Sequence, residues 1–115
     1  MRIIIAGSRS LTDMRQVVDA IKAAKFDITE VVCGDASGAD TFGANWAKAR
    51  DIPVKYFRPD WKQHGKAAGP IRNGMMADYA EALIAVWDGT SPGTQNMIKE
   101  AERRKLRVYV HLYQT

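Results

Sequence analysis

Five short apolar runs separated by helix-patterned segments restrict this chain more than any other feature. The first run, RIIIA at residues 2–6, and the fourth, LIAVW at 83–87, show no polar alternation, so both faces of each strand must be covered. Segments 30–33, 54–57 and 106–110 read as three further strands. Between them, residues 11–25 place Met14, Val17, Val18, Ile21 and Ala24 on one helical stripe. Segment 39–50 does the same with Phe42, Trp46 and Ala49, and 71–81 with Met75, Met76, Tyr79 and Ala80. A last helix is predicted over 92–105, and Ser10 with Asp13 has the spacing of an acidic capping box for the first.

Strand and helix therefore alternate through the whole chain with short connections. The pattern predicts an α/β architecture, a doubly wound parallel sheet of five strands in the order 3-2-1-4-5 with helices on both faces. At 115 residues this is one domain, 1–115, able to bury roughly two thirds of its extended-chain surface. No stretch is apolar enough to cross a membrane, and the apolar run after Arg2 is too short for a signal peptide, so a cytoplasmic protein is expected. A lone cysteine, Cys33, fits a reducing compartment, and with two histidines it makes no structural zinc site; no metal or cofactor is expected. The net charge of +4 points toward an anionic partner.

In a doubly wound sheet, ligands bind beyond the carboxyl ends of the strands at the switch point, here between strands 1 and 4. Small residues gather in all the loops at that end: Gly7-Ser8-Arg9, then Gly34-Asp35-Ala36-Ser37-Gly38-Ala39-Asp40, then Asp88-Gly89-Thr90-Ser91-Pro92-Gly93-Thr94. The loop after strand 3 runs through WKQHGKAAGPIRN, a basic segment with Lys66, Arg72 and Asn73 among small residues. Glycines let backbone approach a phosphate, and the first N–H groups of a following helix point at it. Hydroxyls at Ser8, Ser37, Ser91 and Thr94 would add donors, and Arg9 or Arg72 would form bidentate pairs.

Each residue also has a local reading. Gly7 and Gly34 fit tight turns, Ser91 fits an N-cap before Pro92, and Asp40 complements a helix N-terminus. Asp88 shares that last reading, or holds a ribose hydroxyl beside Gly89. Cys33, Trp46, Met75 and Met76 fit packing, His64 a solvated loop, and Trp61 could cover a base. Neither a dinucleotide fingerprint nor a Walker A ending is present, so phosphates would be held in another way.

These loops, IIIAGSR at 3–9, GDASGAD at 34–40, WKQHGKAAGPIRN at 61–73 and AVWDGTSPGT at 85–94, resemble the SLOG superfamily, which joins the DprA/SMF and LOG-type proteins. The likeness is to its small YspA-like, cpYpsA-related branch. The resemblance implies a Rossmann-like fold, a nucleotide or nucleotide-derived ligand of the ADP-ribose or NAD-derived type, and a homodimer or larger homo-oligomer. LOG-type enzymes hydrolyse the N-glycosidic bond of nucleotides with an Arg from R-x-x-x-M and a Glu from P-G-G-x-G-T-x-E. Arg72 and Met76 match the first element, but Asn96 stands where the Glu would be. An amide cannot serve as a carboxylate base, so hydrolysis would need another acid, with Asp88 or Asp35 nearest. The resemblance thus implies a sensor or sequestering protein, with a phosphoribohydrolase using Arg72 and Asp88 as the alternative. Binding of single-stranded nucleic acid through Trp61, Tyr56 and Phe57 is the third reading.

Overall fold

β-Branched runs with no polar face can only sit at the middle of a sheet, and the computed structural model, which describes residues 1–114, places them there. Five parallel strands are ordered β3-β2-β1-β4-β5: β1 (Arg2–Gly7), β2 (Glu30–Cys33), β3 (Val54–Tyr56), β4 (Ala82–Trp87) and β5 (Arg107–Leu112). The central pair is in register from Ile3 opposite Ala82 to Gly7 opposite Val86, so β1 and β4 end together. This is the Rossmann-like arrangement expected from the alternation.

The pleat divides the core. Ile3, Ile5, Val31, Ile84 and Val86 face helices α1 (Met14–Ala24) and α2 (Ala39–Ala49), packing on Val17, Ala20, Trp46 and Ala47. Ile4, Ala6, Val32, Leu83 and Ala85 face the other way, against Met76, Ala77, Met97 and Ala101 of helices α4 (Ala68–Tyr79) and α5 (Pro92–Arg103). Arg104 ties α4 to α5, with Nη1 2.8 Å from Glu100 Oε1 and Nε 2.5 Å from Asp78 Oδ1. No helix among the described residues is long and apolar enough to cross a membrane.

Local expectations change in three places. Asp13 is not the far half of a capping box with Ser10; it is itself the N-cap of α1, accepting from the Arg15 amide at 3.0 Å. The segment after β3 is not a loop. Trp61–His64 forms a short helix, α3, capped by Asp60 Oδ1, which accepts from the Gln63 amide at 3.1 Å. A 3₁₀ turn at Gly65–Ala67 then leads directly into α4. Gly65, Gly69 and Pro70 read as loop formers, but Gly65 has φ 56° at the α3 end, and Pro70 lies in the first turn of α4, where no intrahelical N–H is needed. Met75, expected in packing, is half exposed, while Met76 is buried.

Candidate functional site

The ends of β1 and β4 open into a cavity of about 430 Å³, within the range of small-molecule sites. Its walls come from three chain segments: Gly7, Ser8 and Arg9 after β1, Ala36 and Asp40 at the start of α2, and Ser91, Gly93 and Thr94 at the start of α5. Arg72 and Asn73 close it from α4, and Met76 with Met97 forms an apolar floor. A smaller recess of about 190 Å³, bordered by Gly34, Asp35, Ser37 and Trp61, shares Arg9, Ala36 and Arg72 with it.

The N-terminus of α5 supplies backbone donors. Pro92 occupies the first helical position and has no N–H, and the first-turn amides of Gly93 and Thr94 have no intrahelical acceptor. Ser91 holds the N-cap position without capping, because its hydroxyl is directed elsewhere. Gly93 borders the cavity, and a side chain there would meet nothing within 4 Å.

Asp88 explains the missing cap. Its Oδ1 accepts from the amides of Thr90 and Ser91 at 2.9 and 2.8 Å, and its Oδ2 accepts from Ser91 Oγ at 2.7 Å. The Asp88 amide in turn donates to Ser8 Oγ at 3.2 Å, and the two serine hydroxyls lie 3.2 Å apart. The backbone and hydroxyl donors hold the Asp88 carboxyl well below the usual aspartate range. Asp88 is therefore a brace between the β1 and β4 loops. It is not among the residues bordering the cavity, and of its two readings the helix-start one is the one its hydrogen bonds describe.

Arg72 is buried and partly tied into the protein itself. Its Nη1 donates to the carbonyl of Gly34 and, at 3.4 Å, to that of Phe57, while Nε lies 2.9 Å from Asn73 Oδ1. Nη2 is left without a protein partner among the described residues. Asn73 is also engaged, its Nδ2 donating to Gly93 O at 3.3 Å and to Asn96 Oδ1 at 2.9 Å. Asn96 thus serves to join α4 to α5.

Asp40 is the one carboxylate bordering the cavity among the described residues. It is buried, and its Oδ2 accepts from the amides of Gly34 at 3.1 Å and Ala36 at 3.4 Å. Burial pushes its pKa up, against the opposing pull of the Arg72 charge and the two amides. Burial pushes the Arg72 pKa down in turn, with Asp40 opposing. Cys33 is buried beside this pair, its thiol pushed up to about 11 mainly by desolvation, so it is not a nucleophile at neutral pH.

The glycines have mostly internal reasons. A Cβ at Gly34 would lie 2.3 Å from Arg72 Nη1, and one at Gly7 2.0 Å from the Val86 carbonyl oxygen. Gly38, at φ 70°, would bring its Cβ within 2.3 Å of the Ser8 carbonyl oxygen. These three make room for other parts of the chain. Gly38, Gly89 and Lys66 lie outside both hollows, Lys66 exposed on the 3₁₀ turn and Gly89 in a turn at φ 87°. Asp35 pairs with Arg58 at 2.6 Å in an exposed ion pair at the border of the recess. Met97 and Ser10 border the cavity as well, Ser10 having been read only as a capping residue and Met97 not at all. Met97 lies one turn beyond Gly93 on α5, a position that its packing stripe conceals.

A five-stranded parallel sheet in the order 3-2-1-4-5, with helices on both faces, defines a Rossmann-like α/β protein. The family model for "YspA, cpYpsA-related SLOG family" matches residues 1–64, from β1 through α3. The "Gene 61 protein" of Mycobacterium phage D29 is 32% identical over 117 aligned positions, spanning 93% of this chain and 93% of the phage protein. The chain belongs to the YspA/cpYpsA-related SLOG family.

Proposed function

We propose that this protein binds a nucleotide or nucleotide-derived ligand of the ADP-ribose or nucleoside-phosphate type and does not hydrolyse it. The observation carrying the reading is the convergence of the open first turn of α5 with Arg9 and Arg72 on one 430 Å³ cavity at the switch point. A phosphate on the Gly93 and Thr94 amides would lie within that ring of donors, with Met76 and Met97 beneath the sugar. Against hydrolysis stand Asn96, hydrogen-bonded to Asn73, and Asp88, tied into its own loop outside the cavity. Asp40, the carboxylate that does border it, is held by the Gly34 and Ala36 amides. A sensor or a sequestering protein is the role this supports.

Titration calorimetry with ribose 5-phosphate, AMP and ADP-ribose tests it, alongside chromatographic assay for free base. Saturable binding without base release is expected. Gly93→Asp places a carboxylate in open space at the phosphate position and should abolish binding. The same change favours the helix, since a first-turn acid contributes about 0.3–1 kcal/mol. Its melting temperature should therefore hold or rise. Binding by none of the three ligands, or unchanged binding in Gly93→Asp, would sink the proposal. Base release that is lost in Asp40→Asn would move the protein to the hydrolases.

A further inference from the structure

Trp61 is the feature of this end of the molecule that packing does not explain. It is 51% exposed, on a helix with no buried residue, yet it borders the recess that adjoins the main cavity. Helix α3 is nevertheless firmly placed, by the Asp60 cap at its start and the Gly65 turn at its end. The ring edge lies close to α4, since a Cβ at Gly69 would sit 3.9 Å from Trp61 Cη2. At that ordinary van der Waals distance a methyl group at residue 69 would be accommodated, so the ring stands beside α4 without being wedged against it.

The recess and the cavity meet at Arg9, Ala36 and Arg72. A ligand lying across that boundary would keep its phosphate on the cavity side and present its far end to Trp61. The recess is small, about 190 Å³, and is bordered by the indole of Trp61, by Gly34 and Pro59, and by the side chains of Arg9 and Arg72. Such a border suits a flat aromatic group stacked with one face on the indole.

We propose that Trp61 is a stacking platform for the base of a mononucleotide whose phosphate occupies the α5 end of the cleft. The proposal rests on the nucleotide reading above and adds the position of the base and its chemical class, a planar heterocycle with purine favoured over pyrimidine for its larger face. Stacking selects for a flat π-face and not for a hydrogen-bond pattern, so adenine and guanine should be accepted alike.

The test compares AMP, ribose 5-phosphate and a single-stranded oligonucleotide against the wild-type chain, Trp61→Ala and Trp61→Phe. Wild type should bind AMP on the order of tenfold more tightly than ribose 5-phosphate. AMP should also quench indole emission. Trp61→Ala should remove that preference and leave ribose 5-phosphate affinity unchanged, while Trp61→Phe should retain most of the preference. The ring is exposed, so both variants should melt near the wild-type temperature. If ribose 5-phosphate and AMP bind equally in the wild type, the platform is refuted and the phosphate site stands. If neither binds, both readings fall. Trp61→Ala that alters oligomeric state but not the AMP preference would assign the ring to an interface between copies. Tighter, steeply salt-dependent binding of the oligonucleotide, lost in Trp61→Ala, would overturn the mononucleotide assignment in favour of nucleic acid.

Discussion

Asp40 and Asp88 bring the same side chain into opposite surroundings. Asp40 is removed from water, and burial raises its pKa; Asp88 collects two amides and a hydroxyl, which lower its own. In the sequence both read as helix-start acids, because each lies near the end of a strand and the beginning of a helix. Their difference depends on which donors fold back onto them, and that is decided by loop geometry. A depressed carboxylate pKa contributes stability that is full above the unfolded value and is lost as pH falls through the folded one. Asp88→Asn retains an oxygen for the Thr90 and Ser91 amides but turns an NH₂ toward Ser91 Oγ. In denaturant unfolding, the wild type should exceed this variant by a constant margin at neutral and mildly acid pH. The margin should narrow only below the ordinary aspartate value of 3.8. A margin insensitive to pH would mean that the charge of Asp88 plays no part in holding the β1 and β4 loops together.

At the scale of elements, the segment from Trp61 to Asn73 shows what the residues conveyed and what they hid. Its placement between β3 and the switch-point cleft followed from strand order alone. Its conformation did not, since Gly65, Gly69 and Pro70 are loop formers in isolation and become helical only with the Asp60 cap and the start of α4. The basic side chains consequently part company. Lys62 and Lys66 are carried into solvent, whereas Arg72 turns inward beneath Gly34. Arg72→Ala should then weaken ligand affinity far more than Lys62→Ala or His64→Ala. Because Arg72 also bonds the carbonyls of Gly34 and Phe57, it should lower stability as well, by about 1.5–3 kcal/mol for a charged hydrogen-bonding group. Calorimetric titration and thermal unfolding of the three variants separate these effects. Equal affinity losses in all three would reduce the segment to a diffuse positive patch.

The whole molecule turns on β1, the central strand, whose alternate residues serve both cores. Its place was legible because RIIIA has no polar face, and the order of the sheet followed from that and from the short crossovers. What could not be read is how closely the layers approach. Gly43 looks like a weak point in α2, since glycine in a helix interior lowers stability by about 1 kcal/mol relative to alanine. The structure assigns it another role: a Cβ there would lie 2.6 Å from Ile5 Cγ2 and 2.9 Å from Ile5 Cβ, and the second atom cannot swing away. Overpacking of this kind typically costs about 1–3 kcal/mol. For Gly43→Ala the strain should exceed the helix gain and leave a net loss. Ile5 sits on the strand common to both layers, so the loss should be global and not confined to the α1–α2 face. Urea unfolding followed by far-UV circular dichroism and by tryptophan emission should show one shared, lowered midpoint with an unchanged slope. Separate midpoints for the two probes would show that the α2 layer detaches alone, and that the two cores are not a single cooperative unit.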